Sequence, residues 1–147
     1  MTNEEDRIIK PLDLKILLFY LAIFCVHSCT KAFTKQELYG DWEGKNKEVE
    51  IAITFNQNST CKIVYKEDNS KPITLTGNFE VDFTKRPVPL SIRNIPQLNY
   101  PLHTIIQFIE LDVIKMAEFA PRWRLRPIVF NRDTEIILKR SKVTPDR

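Results

Sequence analysis

Five residues near the end of the chain combine positive charge with aromatic surface, in the order Arg122-Trp123-Arg124-Leu125-Arg126. If this segment is a β-strand, its alternation places the three arginines on one face and Trp123 and Leu125 on the other. Adjacent guanidinium groups can bind a carboxylate, a phosphate or an anionic glycan through paired hydrogen bonds. The alternative is a solvated face whose arginines pair with nearby acids. Arg122, Arg124 and Arg126 are therefore candidate ligand-binding residues.

The sequence offers few other groups for chemistry. The acid pairs Glu80/Asp82 and Glu110/Asp112 are spaced to share a strand face, which we expect to be solvated rather than catalytic. His103 follows a proline-flanked loop and is expected to be a loop residue, not a metal ligand or a base. The sequence has no nucleophile motif, phosphate-binding loop or zinc-type Cys/His cluster. We therefore predict a non-enzymatic protein that needs no cofactor and no metal.

Length and composition restrict the protein classes further. A chain of 147 residues fits one domain with a short appendage. Hydrophobic residues make up 43% and charged residues 28%, which argues against a chain that is disordered throughout. The net charge of +3 is too small to indicate nucleic-acid binding.

The N-terminal part contains an uncharged apolar run, ILLFYLAIFCV, at residues 16–26. A membrane-spanning helix needs about 20 such residues, so this run is short for one. It suits the hydrophobic region of a secretory signal, with Lys10 and Lys15 before it and small residues after it. The alternatives are an uncleaved membrane anchor and a buried core helix.

The residues after this run suggest a processing site. Val26-His27-Ser28 before Cys29 resembles a loose bacterial lipobox, in which Cys29 would be lipidated after cleavage. Ordinary cleavage near Ser28 or Ala32 is the alternative. Either way we expect export, with the protein in the periplasm, outside the cell, or held on a membrane through its N-terminus.

Most of the remaining chain shows the patterns of β-strands. In residues 48–55, Val49, Ile51, Ile53 and Phe55 alternate with more polar positions. Residues 104–119 also have helical spacing, but their β-branched and aromatic content favours strands. Nine strand-like segments, at residues 38–43, 48–55, 60–66, 73–83, 90–92, 102–111, 113–119, 128–130 and 134–140, predict about eight short strands. Gly77 within the fourth segment suggests a bulge or a sharp bend.

Short turns between successive strands predict an all-β fold, namely a mainly antiparallel up-and-down barrel of about eight strands. The interior of such a barrel accommodates side chains or one small ligand. The predicted organisation is a signal peptide or anchor at residues 1–29, a tether at 30–37, the barrel at 38–140 and a tail at 141–147. Cys61 is expected to be a buried small hydrophobic residue.

Two features are similar to a known family. Gly40-Asp41-Trp42 resembles the Gly-x-Trp opening of lipocalin-like (calycin-type) barrels. The resemblance implies that a basic residue late in the chain, here Arg140, packs over Trp42, so that Gly40, Trp42 and Arg140 close the barrel. Residues 77–140 resemble a small lipocalin-like domain of unknown function found in exported bacterial proteins, including planctomycete ones. The similar pieces are Gly77–Asp82, Lys85–Pro87, Ile109–Leu111, Arg126-Pro127 with Phe130, and Leu138–Arg140.

The predicted function is a cell-envelope binding module for a small apolar, amphiphilic or anionic ligand, or for an envelope protein. The alternative is a periplasmic inhibitor or interaction protein that acts through a surface loop, for which Asn94–His103 is the candidate. A ligand carrier requires an open apolar cavity, whereas an interaction protein can have a filled interior. Phe55, Phe79, Phe83 and Phe108 could either fill the barrel or line a cavity, so the sequence leaves this choice open.

Overall fold

A computed structural model describes residues 32–141 of the protein. The predicted signal or anchor segment with Cys29, and the tail beyond Ser141, lie outside these residues. One short helix is followed by eight strands: α1 Lys35–Leu38, β1 Gly40–Lys45, β2 Val49–Phe55, β3 Thr60–Glu67, β4 Ile73–Val81, β5 Val88–Arg93, β6 Leu102–Glu110, β7 Val113–Met116 and β8 Ile136–Arg140. A single 3-10 turn, Trp123–Leu125, lies between β7 and β8. None of the helices in residues 32–141 has the length and apolarity needed to cross a bilayer.

The eight strands form a closed antiparallel barrel in sequence order, and this confirms the predicted up-and-down fold. β8 pairs with β1 to close it, with Trp42 opposite Arg140 and Gly44 opposite Leu138. Closure pairs each of the eight strands of residues 32–141 with two neighbours, so this barrel has no free edge strand. Alternation then places the apolar residues of each strand inside. Ile51, Ile53 and Phe55 of β2, for example, are buried as predicted.

The up-and-down order gives the barrel two distinct ends. The connections at residues 46–48, 68–72, 94–101 and 117–135 lie at one end, which we call the open end. The connections at residues 56–59, 82–87 and 111–112 lie at the other, which we call the closed end. Residues 33–39, which lead into β1, are also at the closed end.

Aromatic side chains and α1 fill the closed end. Phe33 stacks on Phe108 with ring centroids 4.4 Å apart, and Trp42 contacts Phe108 edge-on at 6.1 Å. Thr34 and Glu37 form a capping box that starts α1 and directs Leu38 into the core. Residues expected to form a tether therefore contribute to the packing of the barrel.

Most strand limits lie within a few residues of the predicted ones, and two differences affect the assignment of elements. Leu38 belongs to α1, so β1 begins at Gly40. The predicted strand at residues 128–130 is wrong, because these residues belong to an irregular connection between Ala117 and Glu135. Pro121 and Pro127 in this connection lack the N–H that a central strand must donate. The connection ends in a turn in which Thr134 and Glu135 donate backbone hydrogen bonds to the carbonyl of Asn131.

Gly77 marks a close approach rather than a bulge. β4 pairs with β3 and with β5 without a register shift. A Cβ at Gly77 would lie 2.7 Å from the carbonyl oxygen of Arg93 and 3.0 Å from side-chain carbons of Ile92 and Ile95. Only glycine therefore lets the end of β5 pass this close to β4.

Candidate functional site

A cavity of about 500 Å³ occupies the open end of the barrel. Its deeper wall consists of inward-facing residues of several strands, including Ile51 of β2, Ile63 of β3, Met116 of β7 and Ile136 of β8. The volume lies in the range of about 300–1,000 Å³ that is usual for small-molecule sites. The full lining is Asn46, Glu48, Val49, Ile51, Ile63, Tyr65, Ile73, Leu75, Leu98, Tyr100, Leu102, Met116, Ala117, Glu118, Phe119, Asp133, Thr134 and Ile136.

The distribution of large rings explains why only one end is hollow. Phe55 and Phe79 pack edge to face, with centroids 4.9 Å apart, and Phe83 packs on Phe108 at 6.2 Å. None of these four rings lines the cavity. They fill the closed half of the barrel, whereas the inward positions of the open half hold mainly Ile, Leu and Met side chains. The barrel is therefore filled at one end and hollow at the other.

The mouth of the cavity combines exposed apolar side chains with polar groups. Ile73 is 56% exposed and Tyr100 is 47% exposed, and both line the cavity. The hydroxyl of Tyr65 lies 3.0 Å from a carboxylate oxygen of Glu67. Burial raises the pKa of Tyr65 above its ordinary value, and the hydrogen bond to Glu67 and the charges of Glu67 and Glu48 add to this shift. The phenol is therefore a hydrogen-bond donor at neutral pH.

The predicted closure residues meet at the closed end. Arg140 lies over the indole of Trp42, with 4.3 Å between its guanidinium carbon and the ring centroid. Its Nη1 and Nη2 donate to the carbonyl oxygens of Tyr39 and Glu37, each at 2.6 Å, and its Nε donates to Asp112 at 2.7 Å. The indole N–H of Trp42 donates to the carbonyl of Leu38 at 2.8 Å. These contacts hold the closed end shut, so a ligand must enter through the open end.

A closed barrel of eight antiparallel strands with a cavity at one end fits a lipocalin-like binding fold. No family model, curated protein or solved structure matches this chain. The candidate site therefore rests on the geometry of the barrel. Because a fold by itself does not specify a ligand, the ligand class must be inferred from the chemistry of the residues that line the cavity.

The three arginines of the basic segment do not share a strand face. Trp123–Leu125 is a 3-10 turn, so the condition for a shared face, a β-strand at Arg122–Arg126, is not met. Arg122 and Arg124 are exposed, and none of the three arginines lines the cavity. Arg126 instead stacks on Trp123, with its guanidinium carbon 3.9 Å from the ring centroid.

The basic segment covers a buried histidine on the outer wall of the barrel. His103 belongs to β6 and is 4% exposed, so the expectation of a loop residue is wrong. Its backbone pairs with Ala120 by two hydrogen bonds, of 2.8 and 2.9 Å. This pairing draws Trp123 edge-on against the imidazole, with centroids 5.4 Å apart. No sequence pattern indicates this contact, because it joins residues of two elements on the outer face of the barrel.

Ser91 and His103 form a hydrogen-bonded pair, with 2.9 Å between Oγ and Nδ1. Burial lowers the pKa of His103, and the charges of Arg93 and Arg126 lower it further, whereas Glu80 opposes the shift. A neutral imidazole beside a hydroxyl is the start of a nucleophilic arrangement. Ser91 is only 5% exposed, however, and the pair faces the covering segment rather than the cavity. The Ser91–His103 pair therefore contributes to packing between the barrel wall and the covering segment.

The loop proposed for an interaction protein forms one lip of the cavity. Leu98 and Tyr100 of this loop line the mouth. A second depression, also about 500 Å³, lies on the loop and is lined only by residues 93–101. Because it is wide open and bounded by a single segment, it encloses much less of a ligand than the barrel cavity does.

Three of the four acids in the pairs named above form ion pairs, and the fourth, Glu110, is exposed. Glu80 pairs with Arg93 at 3.3 Å, and Asp82 pairs with Lys85 at 2.9 Å. Asp112 is bound by Arg140, and Cys61 is buried in the core as predicted. Within residues 32–141, no group of three or more His, Cys, Asp or Glu residues could hold a metal ion.

Sequence reasoning identified none of the cavity-lining strand residues as a ligand site, and of the lining it singled out only the part that belongs to the loop Asn94–His103. Alternation indicated that Ile51 and Ile63 face inward, and this is confirmed. Their inward direction gave no sign that they border open space. The one available signal is the set of large apolar residues next to turns, such as Ile73 and Tyr100, which a filled barrel would not need.

Proposed function

We propose that this protein is a non-enzymatic binding module that holds a small apolar or amphiphilic molecule in the cavity at the open end of its barrel. The observation that supports this proposal most directly is the cavity of about 500 Å³, walled by aliphatic side chains of different strands and open at one side. An apolar ligand bound there is removed from water everywhere except at its outer end. Burial of this kind stabilises a complex by roughly 25 cal/mol per Å² of apolar surface.

Export and envelope attachment complete the proposal. The apolar run before residue 27 and Cys29 support secretion with a lipid or helical anchor, and the Gly-x-Trp motif supports membership of the lipocalin-like barrels. An exported carrier would take up a poorly soluble molecule outside the cytoplasm. Ligand release would then occur through the open end, away from the Trp42–Arg140 seam.

The chain itself provides a probe for the cavity. It contains two methionines, Met1 and Met116, and Met116 is a buried part of the cavity wall. In full-length protein labelled at the methionine methyl groups, we expect decanol to shift the Met116 signal saturably, with one molecule bound per chain. The Met116→Leu variant assigns the signal.

Two matched substitutions separate cavity binding from general association with apolar surface. Leu75→Trp should fill the mouth and abolish the shift of the Met116 signal. Leu125→Trp adds the same ring at an exposed position outside the cavity and should leave the shift intact. An unmoved Met116 signal in the parent protein, or an equal response in the Leu75→Trp variant, would refute the proposal.

A second candidate function, docking of an envelope protein, is favoured by one exposed surface. Trp123, Leu125, Ile128 and Val129 are 49%, 62%, 72% and 69% exposed and lie within one connection. Apolar side chains grouped in this way often mark a contact surface. A photo-crosslinker at position 128 should then capture one defined partner in the host, whereas the same group at exposed Glu43 of β1, outside this connection, should not. Equal capture from both positions would exclude this candidate.

A further inference from the structure

Charge at the mouth of the cavity is of one sign. The charged residues of the lining are Glu48, Glu118 and Asp133, and no lysine or arginine lines the cavity. The three carboxylates come from two connections, at residues 46–48 and 117–135, so they flank the mouth from different elements. An apolar wall with negative charge at its edge favours ligands of a particular polarity.

These carboxylates are not neutralised by ion pairs. None of the ion pairs among the described residues includes Glu48, Glu118 or Asp133, which we call the rim carboxylates. These ion pairs are Lys45–Asp68, Lys85–Asp82, Arg93–Glu80, Lys115–Glu135 and Arg140–Asp112. Lys47 and Arg132 are their sequence neighbours, but neither lines the cavity. The charged groups that line the mouth itself are therefore all negative, and none of them forms an ion pair with a lysine or arginine of the described residues.

Aromatic rings at the same mouth add a second preference. Tyr65, Tyr100 and Phe119 line the cavity together with the three carboxylates. The faces of such rings attract cations, and the attraction grows as water is removed from around them. Aromatic faces and carboxylates are the two groups that proteins combine to recognise an ammonium ion. Both features disfavour an anionic head group.

We propose that the preferred ligand is an amphiphile with an apolar body and a cationic head group, such as an alkylammonium ion; this inference rests on the proposed binding in the cavity. The apolar body contacts Ile51, Ile63 and Met116, and the ammonium group stays at the rim beside Glu48, Glu118 and Asp133. The anionic ligands suggested by the basic segment would meet repulsion at this mouth.

Three ligands that share a ten-carbon chain and differ only in their head group test the preference for a cationic head group. Decylammonium, decanol and decanoate are titrated into full-length protein, and the Met116 methyl signal is followed. We expect decylammonium to bind about tenfold more tightly than decanol, the size of effect that a few partly exposed charges produce. Decanoate should bind more weakly than decanol. The preference should shrink as added salt shortens the screening length to about 3 Å at 1 M.

Two triple variants assign the preference to the rim. Glu48→Gln with Glu118→Gln and Asp133→Asn should remove most of the preference for decylammonium over decanol, and the aromatic rings should account for what remains. Glu43→Gln with Glu50→Gln and Glu110→Gln changes the net charge by the same amount at exposed positions that do not line the cavity, and should keep the preference.

The outcomes distinguish this inference from the proposed function. If decanol binds as tightly as decylammonium, or the rim variant keeps the preference, the inference is overturned while cavity binding stands. If no ligand moves the Met116 signal, both are overturned. A preference for decylammonium that only the rim variant loses supports both.

Discussion

Arg140 and Trp42 are direct cross-strand partners at the seam between β8 and β1, and the guanidinium carbon lies 4.3 Å from the centroid of the indole. Trp42 has no exposed surface, so the arginine covers the last open side of its ring. The same guanidinium also binds carbonyl oxygens of Tyr39 and Glu37 and the carboxylate of Asp112. One side chain thus connects the entry to β1, the end of β8 and the turn between β6 and β7.

Replacing Arg140 should destabilise the barrel at this seam. Arg140→Met keeps the apolar stem but removes every hydrogen bond and the cation, so we expect the free energy of unfolding to fall by about 2–4 kcal/mol. Arg140→Lys should lose less, because an ammonium group keeps the charge but cannot reach several acceptors at once. Urea denaturation of both variants measures which of them loses more free energy of unfolding. A loss below about 0.5 kcal/mol for Arg140→Met would be typical of a surface position and would contradict a structural role.

Gly40 should tolerate no side chain. Its φ is +115°, a conformation that residues with a Cβ rarely adopt, and an added Cβ would lie 3.0 Å from Nη1 of Arg140. We expect Gly40→Ala to lower the free energy of unfolding by about 1–3 kcal/mol. In the background of Arg140→Met the contact is removed but the backbone strain is not, so a smaller loss should persist. Unchanged stability of the single variant would show that the local backbone can relax.

Cys61 should make stability depend on pH in the alkaline range. Burial raises the pKa of the Cys61 thiol from 9.0 to about 11, against the opposing effect of a hydrogen bond from the backbone of Gly77. Between these values the unfolded chain releases a proton that the folded chain retains. The stability that depends on this thiol is therefore complete below pH 9.0 and is lost as the pH rises towards about 11.

The Cys61→Ala variant isolates this effect from other groups that titrate in the same range. The difference in free energy of unfolding between the parent and the variant should change by up to about 1.4 kcal/mol per pH unit in that window. A difference that stays constant with pH would mean that the thiol titrates equally in both states.

His103 should make stability depend on pH in the acidic range. Burial, together with Arg93 and Arg126, holds its pKa below the ordinary value of 6.5. As the pH falls below 6.5, the unfolded chain binds a proton that the folded chain does not, so stability decreases on acidification until the folded pKa is passed.

An NMR titration of His103 tests whether the neighbouring charges shift its pKa as described. Arg126→Met removes a positive charge beside the imidazole and should raise the pKa of His103. Glu80→Gln removes the nearby negative charge and should lower it. Shifts of the same sign in both variants would contradict the electrostatic explanation.

The exposed arginines should be dispensable for binding in the cavity. Arg122→Ala with Arg124→Ala changes side chains that lie outside its lining, so the dissociation constant for decanol should be unchanged. The Met116 signal measures this directly. A loss of affinity of tenfold or more, which is about 1.4 kcal/mol, would assign these arginines a role in the ligand site.

The fold could be predicted from the sequence because each of its main signals is local. Alternation in residues 48–55 fixes which side chains face inward, and short turns force successive strands to pair. The burial of Cys61 follows from the same alternation. The segment Arg122–Arg126 lies between the predicted strands, and the arginine face that a strand there would have formed is absent, because the flanking prolines and the pairing of Ala120 with His103 turn the segment away from the sheet.

The sequence by itself determined that this chain forms an all-β, up-and-down barrel with an inner and an outer face. Only the tertiary structure decided that the barrel is filled around Phe79 and Phe108 and hollow around Ile63 and Met116, with carboxylates at the mouth. The physical reason is that alternation specifies the face of a strand but not the height along the barrel axis at which side chains meet. That height depends on the pairing register of all eight strands together, which no single stretch of sequence specifies.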